Sequence, residues 1–182
     1  NAIARAEREA LTDPTSGLPT GRLIEDQLRR IIRTKGWAFM DIRVNAFEAF
    51  KDVYGFIAAN DVLRFTGMIL GEVVDEKGTM NDFLGHAGGD NFVIITAEAN
   101  APAVKTRLIE RFGDDILSHY NFMDRQNGFI MAPDEKGQMQ RSALMNLSVG
   151  VVSPATHSFS DIREITEVAS EVRRQETTAS GR

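Results

Sequence analysis

Residues 88–92, Gly-Gly-Asp-Asn-Phe, place two glycines, a carboxylate and a carboxamide between two apolar runs. Glycine and asparagine supply the positive φ that a tight hairpin turn demands, so residues 81–97 read as a β-hairpin. With no Cβ at Gly88 and Gly89, the tip of such a hairpin can lie against a phosphate, and the Asp90 carboxylate can hold a hard cation. A plain turn uses the same residue types, and Asp90 is equally at home as a turn acid. Upstream, residues 37–44 are apolar enough for a strand, whose alternation puts Asp41, Arg43 and Asn45 on one face. His86, His119 and His157 are scattered without metal-ligand spacing and read as hydrogen-bonding histidines. Arg173 and Arg174 read as a solvated helix face.

The chain that must position these groups has 182 residues, enough for one domain with a single core. It is 42% hydrophobic and 26% charged, as soluble globular proteins are. No apolar run approaches the roughly 20 residues that span a bilayer. Asn1 is not an initiator methionine, which leads us to expect a piece of a longer protein. Cysteine is absent, so disulfides, thiolate metal sites and a cysteine nucleophile are excluded, in agreement with a cytoplasmic address. Full-length protein carrying a membrane anchor elsewhere is compatible with this. The net charge of −5 argues against nucleic acid as a partner.

Apolar spacing divides the chain into elements. Residues 1–11 are helix formers and read as the end of an upstream signalling helix, with a hint of coiled coil. Residues 13–20 form a loop rich in breakers. A helix carrying Leu23, Leu28, Ile31 and Ile32 ends at Gly36. After the strand, a helix over residues 57–74 buries Val62, Phe65, Ile69 and Val73. Pro102 opens a further helix with Val104, Leu108, Ile109, Phe112 and Ile116. Residues 127–152 read as a second hairpin, with 128–131 paired to 144–152 through a turn at 133–137. A last helix spans 161–175, and 177–182 form a polar tail. Hairpins with covering helices predict an α+β fold with a mostly antiparallel sheet.

Several segments together resemble the GGDEF family, the diguanylate cyclase-like domains of bacterial signalling. Residues 13–19, Asp-Pro-Thr-Ser-Gly-Leu-Pro, resemble its opening motif, Asp-x-Leu-Thr-Gly-Leu-Pro. Phe47, Asp52, Tyr54-Gly55 and Leu63 match the block Phe-Lys-x-Ile-Asn-Asp-x-Tyr-Gly-His-x-x-Gly-Asp-x-x-Leu. Gly88 to Phe92 match the signature, and Ser148-Val149-Gly150-Val151 match a late Ser-Ile-Gly-Ile strand. The matches are collinear over residues 12–176. The resemblance implies a palm fold like that of nucleotidyl cyclases, ferredoxin-like, with about five strands, covering helices and a small hairpin. It also implies conversion of two GTP into cyclic di-GMP in active members, with Mg²⁺ or Mn²⁺ as cofactor and two domains face to face.

Against that pattern the site is degenerate. Alignment without gaps from Tyr54-Gly55 puts the strand aspartate that ligates both metals on Arg43. The neighbouring backbone carbonyl ligand falls on Val44, and a second carboxylate falls on Asn45. A guanidinium repels a cation at close range. Asp41 shares the face, but two residues along a strand leave it roughly 6.6 Å away, so its use as a ligand needs a change of register. Arg43 is expected instead in an ion pair with Asp41, Asp90 or Glu48.

The signature's fourth position, normally Glu, is Asn91, so the catalytic pair becomes Asp90 and Asn91. Gly88 and Gly89 remain for the nucleotide, while the guanine-reading Asn and Asp become Lys51 and Asn60. The histidine after Tyr-Gly becomes Phe56, and a phosphate-contacting lysine becomes Thr177. The inhibitory Arg-x-x-Asp motif retains Asp82 but has Thr79 in place of the arginine, which argues against product binding there.

Three functions compete. One is an inactive module that acts by regulation, dimerisation or nucleotide sensing, with GTP bound weakly and metal only alongside nucleotide. Another is an active cyclase with an altered metal site. The third is a spacer between domains. The resemblance further implies a homodimer in the full-length protein and an upstream sensor or receiver domain.

Overall fold

The structure, a computed structural model, describes residues 2–3 and 11–179. Most of the expected N-terminal helix, and the end of the chain beyond residue 179, lie outside the described residues. β1 (Trp37–Asn45) occupies the middle of a four-stranded sheet with the order β2-β3-β1-β6. It pairs antiparallel with β3 (Asn91–Ala97) on one side and with β6 (Asn146–Val152) on the other. β2 (Phe83–Gly88) pairs with β3 as the expected hairpin, with a register shift between His86 and Gly88. Among the described residues the sheet therefore has four strands rather than about five, in the expected antiparallel α+β arrangement.

Period-two alternation along β1 feeds two cores. Met40, Ile42 and Val44 face one way with Phe92, Ile94, Leu147 and Val149. They are covered by α2 (Phe47–Tyr54), α3 (Phe56–Lys77) and α4 (Ala101–Asp115). Trp37 and Phe39 face the other way with Val93, Ile95 and Val152. Here α1 (Gly21–Ile31) contributes Ile24 and Leu28, and a long C-terminal helix, Ile162–Ala179, contributes Ile165 and Ala169. Each buried side chain of this size stabilises the fold by about 1.5–3 kcal/mol. A left-handed Ala46, φ 64°, makes the turn from β1 into α2; such a conformation costs a residue with a Cβ roughly 1–2 kcal/mol.

One expectation fails on pairing. Residues 128–131 do not pair with 144–152. β4 (Phe129–Pro133) closes a two-stranded hairpin with β5 (Met139–Ala143), and β6 leaves it to join the central sheet. β5 reads Met-Gln-Arg-Ser-Ala, polar and almost wholly exposed, so it carries no apolar alternation that marks it as a strand. Two short helices escape the sequence reading. α2 is one, and α5 (Phe122–Asn127) is the other, capped by the Asn121 side chain accepting from the Asp124 N–H at 2.8 Å. The last helix, α6 (Ile162–Ala179), runs past residue 175 and takes Thr177 out of the expected tail. Among the described residues no helix is long and apolar enough to cross a membrane.

Candidate functional site

The hairpin tip is held against the end of β1 by backbone. The Val44 N–H donates to the Asp90 carbonyl at 3.0 Å. Gly88 and Gly89 have φ of 139° and 51°, values that side chains with a Cβ adopt at a cost. Beneath the tip, His86 is 1% exposed and stacked on Phe92. Its Nε2 lies 2.7 Å from the Gly89 carbonyl, and its Nδ1 lies 2.9 Å from Ser16 Oγ and 3.3 Å from Asp13 Oδ2. An imidazole with Nε2–H donating to Gly89 ties the tip to the opening loop, where Asp13 also caps the N–H groups of Thr15 and Ser16. His86 is thus a hydrogen-bonding histidine, and its role as a clasp arises from contacts 70 residues apart in the chain.

Asp41 lies on the same face of β1 as Phe39 and is 6% exposed. Both of its oxygens are engaged. Oδ2 accepts from Arg173 Nε at 2.8 Å, and Oδ1 accepts from Asn91 Nδ2 at 2.7 Å. Gly150 makes this ion pair reachable. It sits opposite Asp41 on β6, and a Cβ there would lie 2.3 Å from the Ala169 carbonyl and 2.6 Å from the Arg173 nitrogen. With only hydrogen at that position, α6 packs onto the sheet and Arg173 reaches across to the carboxylate. Arg173 is therefore buried, not part of a solvated face. Its neighbour Arg174 is exposed and bonded to Ser170 and Glu171.

Arg43 is exposed and, among the described residues, its side chain has no ion pair or hydrogen bond. The expected pairing with Asp41, Asp90 or Glu48 is corrected: both oxygens of Asp41 are held, one by Arg173 from the facing helix and one by Asn91. Asn91 also donates from Nδ2 to the Ile42 carbonyl at 2.8 Å, so its amide is turned inward. Asn45 donates to Asn146 Oδ1 at 2.7 Å and accepts from Ser148 Oγ at 3.2 Å. Asp90 is half-buried with no side-chain partner among the described residues.

This donor set does not fit a pair of divalent cations. Hard cations take oxygen ligands, several of them anionic. Here Arg43 presents a guanidinium, Asn45 is an amide bonded within the sheet, and Asp41 is neutralised internally. Among the described residues no group of three or more His, Asp or Glu side chains is placed to hold a metal.

The other expected site residues sit apart. Lys51 ends α2, exposed, and Asn60 is half-buried in the first turns of α3, on either side of Gly55. Phe56 is 67% exposed beside them. Asp82 lies at the other end of β2 from the tip, and Thr79 occupies it through its N–H at 2.9 Å and its hydroxyl at 2.5 Å. The sheet, the hairpin and α6 do bring Asp41, Arg43, Asn91, Thr166, Ser170 and Arg174 around one cleft of about 350 Å³. Sequence reasoning missed Arg173 as Asp41's partner; the Gly150 and Arg173 pair carried no local signal, because only the packing of α6 on β6 joins them.

The sequence profile of the diguanylate cyclase GGDEF domain matches residues 10–129. No curated protein matches the chain by sequence. Among solved structures, the coiled coil and GGDEF domain of DgcB from Caulobacter crescentus, in complex with c-di-GMP, superposes with a TM-score of 0.67 at 18% identity, covering 98% of this chain and 86% of that one. Diguanylate cyclase SiaD from Pseudomonas aeruginosa, in complex with its activator SiaC, gives 0.66 at 16% identity over 98% of this chain. This chain spans 62% of the length of SiaD. The FimX GGDEF domain from Pseudomonas aeruginosa gives 0.60 at 14% identity, covering 91% and 94% of the two chains. At these identities the likeness is one of fold.

Proposed function

Because the chain belongs to the GGDEF family of diguanylate cyclase domains, we propose that it is a signalling module in which cyclase chemistry has been lost. Joining two GTP requires the ribose 3′-hydroxyl of one to attack the α-phosphate of the other, with cations to neutralise the charge that builds on the phosphate. The observation that carries the reading is the Asp41–Arg173 ion pair at 2.8 Å, with Arg43 left at the metal position. It spends the strand's one remaining carboxylate on the protein's own α6. Asp90 alone is an insufficient ligand set for two cations. In this reading the domain acts through regulation, dimerisation or nucleotide binding, in a homodimer driven by an upstream sensor or receiver domain, in the cytoplasm. The complex of SiaD with an activator protein gives a precedent for control of such a domain by a protein partner.

The test is incubation with GTP and Mg²⁺ or Mn²⁺ followed by chromatography for cyclic di-GMP. No product is expected. Product that forms and then disappears in Asp90→Ala overturns the reading in favour of an active cyclase with an altered metal site.

A further inference from the structure

We infer that the cleft between the hairpin and α6 binds a polyphosphate chain directly on the Arg43 guanidinium, without a divalent cation. The inference deepens the proposed function and rests on its reading that the metal site is gone. Arg43 is an exposed cation with no partner among the described residues, and it lines a concave site instead of projecting from a convex surface. A guanidinium presents a planar fork of N–H donors that matches two phosphate oxygens, and it remains charged at any working pH. It supplies the positive charge that a phosphate chain otherwise takes from a metal.

The other walls of the cleft are compatible with an anion. Arg174 also lines it, its charge shared with Glu171 at 2.7 Å, and the hydroxyls of Ser170 and Thr166 are bonded to Arg174 and to the Arg163 carbonyl, each at 2.9 Å. Two carboxylates also line it: Asp41, bound by Arg173 at 2.8 Å, and Glu167, which is exposed and lies 3.9 Å from Arg163. Asp90 lies outside the lining. The volume, about 350 Å³, is at the lower end of small-molecule sites (roughly 300–1,000 Å³) and suits a di- or triphosphate. Lys51 and Asn60 do not line this cleft, so a base attached to the chain goes unread by it. The ligand class is therefore the polyphosphate itself, whether free or carried by a nucleotide.

Calorimetric titration in EDTA with inorganic tripolyphosphate, ATP and GTP tests this. All three are expected to bind with similar affinity, and added Mg²⁺ is expected to weaken binding by competing for the phosphates. Arg43→Ala is expected to weaken binding about tenfold or more, the loss of one forked charge-assisted contact, and Arg43→Lys by less. Arg43 is exposed, so the variant folds; a thermal melt like that of the parent confirms it. Binding that needs Mg²⁺, binding unchanged in Arg43→Ala, binding of GTP alone, or no binding each overturns the inference. None of these results produces cyclic di-GMP, so failure here is distinguishable from failure of the proposed function.

Discussion

At the scale of single residues, the substitution pattern at the site is one of charge relocated. Where metal chemistry needs negative charge open to solvent, this chain keeps one strand carboxylate and buries it against Arg173. A buried ion pair is costly to break from one side, because the remaining charge stays desolvated. Arg173→Ala is therefore expected to destabilise the fold by about 3–5 kcal/mol in urea denaturation, whereas Asp41→Leu combined with Arg173→Met is expected near neutral. An equal loss in the single and double variants would show that the arginine contributes packing rather than charge. The inward amide of Asn91 belongs to the same arrangement. Read alone, Asn91 is a glutamate that has lost its charge; in place, it is the second donor to Asp41.

At the scale of elements, two close approaches set the geometry. α6 lies on β6 at Gly150, and α1 lies on β2 at Gly85, where a Cβ would be 2.7 Å from Ile24. Gly150→Ala is expected to push α6 from the sheet and to lower stability by about 2 kcal/mol or more, read as a drop in melting temperature. A neutral effect there would mean that α6 is free to shift. Gly150 was legible in the sequence as part of a Ser-Val-Gly-Val strand, but its role was not, since the helix that needs it lies some twenty residues on. The β4–β5 hairpin is the reverse case. Its turn residues 134–137 were legible, and the extent of its second strand was not. The apolar residues 144–152 read as the partner of its first strand, whereas the polar residues 139–143 pair with β4 and the apolar run packs as β6 against β1.

At the scale of the whole molecule, stability should fall at both ends of the pH range. Burial pushes the His119 imidazole below its ordinary 6.5, beside Phe65. The unfolded chain then binds the proton first, so stability present above about pH 6.5 is lost as pH falls through that value towards the folded pKa. Burial likewise raises the Tyr120 phenol from 10.0 to about 12, while its oxygen accepts the Met145 N–H at 2.8 Å. Between these values the unfolded chain ionises while the native one keeps its proton, so stability falls as pH rises from 10 to 12. Urea midpoints measured from pH 5 to 7 are expected to decline on acidification, and His119→Gln is expected to flatten that slope; an unchanged slope assigns it to other groups. The sequence by itself determined the family and the central hairpin, because those depend on residue type and order along the chain. Only the tertiary structure decided where the surviving charges go. Asp41 lies 132 residues from Arg173, and no local pattern joins them; the pair exists because α6 closes on the sheet over a glycine. The same closure turns Asp41 away from Arg43, its two oxygens taken by Arg173 and Asn91, and leaves Arg43 unpaired in the cleft among the described residues.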